Sequence, residues 1–197
     1  KGADFLCWKG ITAFDVVDRP DKKGITIDGT QYTILEALGR EQYAKVYISL
    51  GINELGYFND QAFEDTFCEL VDLVRELQPD AVIYLQNLPP VNPEKCKAYN
   101  QPYYVNNEKV AVYNEILGRV AAAKKVVLVD VASALSGSDG TLPADGTSDG
   151  VHFTRAWYEK WLEYLMCHTV DPDAYFAGQT AETAETPETT AAAEGVQ

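Results

Sequence analysis

Histidine and methionine are nearly absent from this chain. Its 197 residues hold two histidines, His152 and His168, and one methionine, Met166. Cysteine is sparse too: Cys7, Cys68, Cys96 and Cys167 lie far apart, form no C-x-x-C, and have only His168 nearby. That spacing argues against a metal site and for free thiols buried as small hydrophobes; it leaves the redox compartment open. Basic residues are outnumbered, 16 Lys and Arg against 30 Asp and Glu, for a formal net charge of −14. Such a balance argues against nucleic acid and anionic membrane surfaces as partners. No apolar run approaches the roughly 18 residues of a membrane span, and no signal-peptide pattern is visible.

What remains is an ordinary globular composition, 46% hydrophobic and 23% charged, long enough for one domain with a substantial core. Short apolar runs alternate with segments of helical period. Lys45-Val46-Tyr47-Ile48-Ser49-Leu50 ends at Gly51, Ala81-Val82-Ile83-Tyr84-Leu85 is stopped by Pro89-Pro90, and Val126-Val127-Leu128-Val129-Asp130-Val131 follows. Residues 4–8 read as an earlier strand. Near-continuous apolar strands separated by helices predict a parallel sheet covered on both faces, an α/β fold in three α/β/α layers.

The helical stripes are equally plain. Phe63, Phe67, Leu70, Val71, Val74 and Leu77 share one face after a cap at Asn59 or Asp60. Val110, Tyr113, Leu117 and Val120 do so after Asn106-Asn107, and Trp157, Trp161, Tyr164 and Leu165 after Thr154. A shorter helix is expected over residues 33–40, and turn signals at Lys22-Lys23-Gly24 and Asp28-Gly29-Thr30 suggest a small hairpin around Ile25-Thr26-Ile27. From Ala177 the chain is almost wholly Thr, Ala, Glu and Pro. Such a tract buries too little surface to offset its ordering entropy, so residues 1–176 read as the domain and 177–197 as a disordered tail. Tracts of this kind favour an extracellular or cell-surface setting, a compositional hint that leaves localisation open.

In a parallel α/β sheet, ligands sit beyond the carboxyl ends of the strands. Gly10, Gly51-Ile52-Asn53-Glu54 and Asp149-Gly150-Val151-His152 all fall in turns at that end. Asp149, three residues before His152 with a glycine between them, is placed to orient the imidazole and stabilise its protonated form. His152 is then a general base. The Asn53 amide and the Gly10 N–H are candidate donors to a developing oxyanion, each worth about 3–4 kcal/mol of transition-state stabilisation. Taken singly, D-x-x-H pairs and post-strand asparagines are common as satisfied hydrogen bonds and turn formers. Their joint order along the chain is what raises them.

These blocks resemble the SGNH or GDSL-type hydrolases. Gly51-Ile52-Asn53-Glu54 is similar to that family's Gly-x-Asn-Asp block, Asp149-Gly150-Val151-His152 to its Asp-x-x-His block, and Trp8-Lys9-Gly10-Ile11 to its glycine block. Leu88-Pro89-Pro90 and Tyr113-Asn114-Glu115-Ile116 extend the likeness over residues 4–170. The resemblance implies a flavodoxin-like sheet and an esterase or acylhydrolase acting through an acyl-enzyme, without metal or cofactor. Its substrates would be small esters, such as carbohydrate O-acetyl groups or lipid esters. Glu54 departs from the usual Asp, a change expected to affect loop support more than chemistry.

The Gly-Asp-Ser block is missing. None of Ser49, Ser133, Ser136, Ser138 and Ser148 follows Gly-Asp, and only nine residues precede Gly10. The expectation is therefore truncation. The nucleophile and the first, central strand would lie before Lys1, a gap or direct pairing would separate the strand near Phe5 from that near Ile48, and this chain alone would be catalytically silent. The alternative is a non-catalytic binding domain on the same scaffold. Other motifs fail. Tyr57-Phe58 stands where a phosphate loop needs Lys-Ser/Thr, Ser136-Gly137-Ser138-Asp139-Gly140 is no nucleophile elbow, and Ala156 occupies the bidentate position of a calcium loop begun at Asp145. Oligomeric state is left open.

Overall fold

The computed structural model describes residues 2–22 and 24–180. The elements run α1 (Ala13–Val17), β1 (Gly24–Ile27), β2 (Thr30–Thr33), α2 (Ile34–Leu38), β3 (Lys45–Ile48), α3 (Asp60–Leu77), β4 (Val82–Gln86), α4 (Pro93–Ala98), α5 (Asn107–Ala123), β5 (Val127–Val129), α6 (Val131–Leu135), α7 (Arg155–Cys167) and α8 (Pro172–Thr180). β3, β4 and β5 form a parallel sheet in that order, with Ile48 opposite Leu85 and Gln86 opposite Val129. β1 and β2 form the small antiparallel hairpin that the turn signals predict.

All five residues of β4 are buried. Side chains alternate across a strand, so Ile83 and Leu85 face one layer while Val82 and Tyr84 face the other. The first layer is made by α1, α3 and α5, whose Phe14, Phe63, Phe67, Leu70, Tyr113 and Leu117 close over the sheet. Both crossovers, through α3 and through α5, step the same way across the sheet, and their shared handedness puts both helices on that face. The other face is covered by the segment after β5. Val131 and Leu135 of α6 are buried there, with Trp157, Trp161, Tyr164 and Leu165 of α7 packed against them. The result is the three-layer α/β/α arrangement.

Two local expectations need correction. Residues 4–8 form no strand, and Phe5 is 78% exposed. Among the described residues no strand pairs with the outer edge of β3, so an extended segment there has no ladder to join and no strand forms. The thiols are not uniformly buried either. Cys96 is, Cys68 is partly so, and Cys7 and Cys167 are exposed, Cys7 on that same unpaired segment and Cys167 at the last residue of α7. At the other end, α8 carries helix past Ala177 to Thr180, where Gln179 Nε2 donates to Lys125 O. The rest of the expected tail, 181–197, lies outside the described residues. Among the described residues no helix is long and apolar enough to cross a membrane.

Phe67 is fully buried between α3 and the sheet. Phe67→Ala is expected to cost about 3–5 kcal/mol, read as a fall in the urea midpoint at unchanged slope.

Candidate active site

The Asp149–His152 loop is built by backbone accounting. An isolated antiparallel bridge joins Thr147 to Phe153 and closes the turn. Within it the Thr147 hydroxyl accepts from the Gly150 N–H at 2.9 Å and donates to His152 O at 2.7 Å, so one buried hydroxyl satisfies both ends. Gly150 has φ +97°, and a Cβ there would lie 2.5 Å from Cys96 Sγ and 2.6 Å from Cys96 N. Glycine is thus required both by conformation and by the close approach of α4. Asn92, which caps α4, takes up the Gly150 carbonyl through its own N–H at 2.9 Å.

This frame aims the acid. Asp149 Oδ1 accepts from the N–H groups of Val151 and His152 at 3.0 and 2.9 Å, which leaves Oδ2 to hold His152 Nδ1 at 2.7 Å. Partial burial opposes ionisation of Asp149, but the His152 ring and the two amides outweigh it and hold the carboxyl below the usual range. The carboxylate side chain is 23% exposed and the imidazole 73%. With Nδ1 committed to Asp149, Nε2 is the nitrogen turned to other partners, and among the described residues it makes no hydrogen bond to a serine. Ser133 instead bonds Asp130, and Ser136 bonds Ala132 O.

The second half of the candidate site lies after β3. Gly51, at φ +122°, starts a single turn of 3-10 helix over Ile52–Glu54. Asn53 Nδ2 donates to Ile11 O at 2.9 Å, and the Ala13 N–H donates to Glu54 Oε1 at 2.6 Å. These two bonds join the Asn53 turn to the Trp8–Ile11 turn, closed by Ile11 N to Trp8 O at 3.2 Å, in which Gly10 sits at φ +66° with open space where a Cβ would stand. Glu54 is only 2% exposed. Burial drives its carboxyl up to about 7, opposed by the amides of Ala13, Glu54 and Gly51 and helped by Asp15.

The structure therefore brings Asn53 to the Gly10 turn and Asp149 to His152. A cleft of about 770 Å³ is lined by Ser49, two residues before Gly51, by Phe153, the neighbour of His152, and by Phe5, Gln86 and Trp161, while Gly10, Asn53, Asp149 and His152 do not line it. Trp161 Nε1 donates to Gln86 Oε1 at 2.8 Å, pinning α7 to the end of β4. Sequence reasoning missed Thr147 and Asn92 as supports of the loop. The available signal was a small hydroxyl residue two before the acid, in a segment too irregular to satisfy its own backbone. Among the described residues no group of three or more His, Cys, Asp or Glu gathers as a metal site would require.

Residues 7–160 match the GDSL-like lipase/acylhydrolase family, and the chain belongs to it. The family is one of ester hydrolases, which sets the class of chemistry at that level. Among solved structures, the chain is similar to a protein from Streptococcus pneumonia provisionally named a platelet activating factor. The TM-score is 0.63 at 22% identity, over 80% of this chain and 68% of that one. It is similar also to LAE5, an alpha/beta hydrolase enzyme from the metagenome of Lake Arreo, Spain, with TM-score 0.55 and 18% identity over 80% of this chain and 67% of that one. A peptidoglycan O-acetylesterase matches with TM-score 0.53 and 19% identity, over 73% of this chain and 40% of its own. At these identities the likeness is one of fold. No curated protein matches the chain.

Because the Asp149 carboxyl is held below its ordinary range, its contribution to stability is present at neutral pH and lost as the pH falls through that depressed value. Asp149→Asn is expected to lower stability at pH 7 by about 1.5–3 kcal/mol, through loss of a charged acceptor. Urea melts of the two proteins should converge as the pH is taken below 4.

Proposed function

We propose that this chain carries the base and the oxyanion-stabilising half of a serine ester hydrolase, with the nucleophilic serine supplied by residues outside this sequence. The observation that carries the reading is the 2.7 Å bond from Asp149 Oδ2 to Nδ1 of a largely exposed His152. An imidazole fixed through Nδ1 presents Nε2 as a base, and its carboxylate partner stabilises the imidazolium that forms.

In the proposed reaction, Nε2 takes the proton of the serine hydroxyl as its oxygen attacks the ester carbonyl. The oxyanion that develops accepts from the Gly10 N–H and the Asn53 amide. Collapse of the intermediate breaks the ester C–O bond, and the imidazolium returns its proton to the departing alcohol. Water, deprotonated by the same nitrogen, then attacks the acyl carbonyl; the bond to the serine oxygen breaks, the imidazolium returns its proton to that oxygen, and the acid is released. Every proton is accounted for by His152, so the cycle needs no metal or redox partner.

Two features support an incoming serine-bearing segment. The outer edge of β3 is unpaired among the described residues, and a cleft lined by Ser49, the residue after β3, also reaches Phe153. Small esters are the proposed substrates, with carbohydrate O-acetyl groups in view because a structurally similar protein is a peptidoglycan O-acetylesterase. The competing reading is a binding domain without a nucleophile, favoured by the absence of any serine on the His152 ring among the described residues.

A fluorophosphonate probe separates the two. The protein extended upstream of Lys1 is expected to be labelled and the present chain is not. His152→Ala in the extended protein should slow labelling about 100- to 10,000-fold. An extended protein that resists the probe would favour the binding domain, and equal labelling of parent and variant would remove His152 as the base.

A further inference from the structure

We propose that Glu54 is a positioning residue: its buried carboxyl ties the turn carrying Gly10 to the turn carrying Asn53, and so sets the spacing of the two candidate oxyanion donors. The proposal rests on the reading of Gly10 and Asn53 as donors, but its physical core, a coupling between two turns, is independent of any nucleophile.

The geometry is specific. Ala13 is the first residue of α1, three after Gly10, and its N–H donates to Glu54 Oε1 at 2.6 Å. Asn53, one residue before Glu54, reaches the same strip of backbone through Ile11 O. Two adjacent side chains thus grip two carbonyl or amide groups only two residues apart, a bracket that fixes both translation and tilt. From behind, the Tyr113 hydroxyl lies 2.8 Å from Glu54 O and 2.7 Å from Tyr57 O and shares its single hydrogen between them, anchoring the far side of the turn to α5. Burial pushes that hydroxyl up to about 12, so it stays a donor throughout the working range.

The second oxygen of the bracket makes it sensitive to charge. Oε2 of Glu54 is buried and makes no hydrogen bond of good geometry among the described residues, the Glu54 and Gly51 amides favouring the charge too weakly to offset its burial. An ionised carboxylate with one poorly bonded oxygen in a core is costly, whereas a neutral acid keeps Oε1 on Ala13 and buries a hydroxyl, which costs less than burying a charge. The titratable group that faces it from α1 is Asp15, which carries Arg19 at 3.2 Å and Lys22 at 3.6 Å on its Oδ1; from α5 it is Tyr113. Asp15 also closes the α1 capping box with Thr12, accepting from the Thr12 N–H at 3.2 Å. Charge on Glu54 therefore repels the very carboxylate that organises the start of α1. Since the carboxyl is raised from its usual value to about 7, the stability it contributes as a neutral acid is complete below the ordinary carboxylate range. That stability is lost as the pH rises through about 7.

The test uses the full 197-residue chain, isotopically labelled, followed by NMR from pH 5 to pH 9. The Ala13 amide is expected to titrate with a midpoint near 7, and the Gly10 amide and Asn53 side-chain amide to move with the same midpoint. In Glu54→Gln, which keeps an oxygen for Ala13, all three should become flat across that range. An Ala13 amide that titrates while Gly10 and Asn53 stay still would overturn the coupling, as would a midpoint that survives in the variant. Should the variant fail to fold, the parent titration decides alone, because common or separate movement of the three amides is read there. In the extended, probe-reactive protein, Glu54→Gln should lower kcat on a small ester about tenfold with KM within about twofold. Unchanged kcat would overturn the donor-setting role, whereas an inert extended protein with coupled amides would count against the enzyme reading only.

Discussion

The rest of this molecule depends on β4, a strand with no face left to water. Val82 through Gln86 are all buried, and each successive side chain must find a packing partner on the opposite side of the sheet. That requirement forces helices onto both faces and confines irregular backbone to the two ends. At the carboxyl end it collects the Asn53 turn after β3, the Leu88–Pro90 loop after β4 and, beyond β5 and α6, the Asp149 loop. The site is a consequence of a buried parallel strand before it is a consequence of any motif.

Loops packed against such a core cannot leave their amides and carbonyls bare. Here the work is done by short polar side chains. Asn114 takes both the N–H and the carbonyl of Leu88, Asn107 does the same for Val91, and Thr147 closes the Asp149 turn. Each is one side chain replacing a stretch of regular pairing, and the turn that Thr147 fixes carries Asp149 and His152. The candidate site's geometry is held by an outer ring of amides and a hydroxyl that lie outside it.

That division explains what the sequence disclosed. The strands, the helix faces of α3 and α5, the hairpin and the D-x-x-H pair were legible because periodicity and turn chemistry are local. Asn59 and Asn106 cap the helices they precede, and Thr33 caps α2 with Glu36 in reciprocal bonds. Residues 4–8 misled because their apolar pattern is strand-like, yet a strand exists only through a neighbour, and pairing is not written in the segment itself. Cys7 misled for the same reason. Glu54 stood in view as a departure from the usual acid, but its reach to Ala13 spans forty-one residues and could come only from the fold.

The two halves of the candidate site are held differently, and the difference bears on how they could act. The Asp149–His152 pair is closed within seven residues of one loop, and its ring is oriented by a carboxylate of that same loop. The Gly10–Asn53 half is a contact between distant turns, and its asparagine already donates one N–H to Ile11 O. A side-chain amide has two such hydrogens. The bond to Ile11 therefore leaves a second donor whose direction is fixed by the first, since the amide is planar. In the proposed oxyanion hole, the bond to Ile11 is then what aims the remaining hydrogen, with the bracket between Glu54 and Ala13 holding that bond in place.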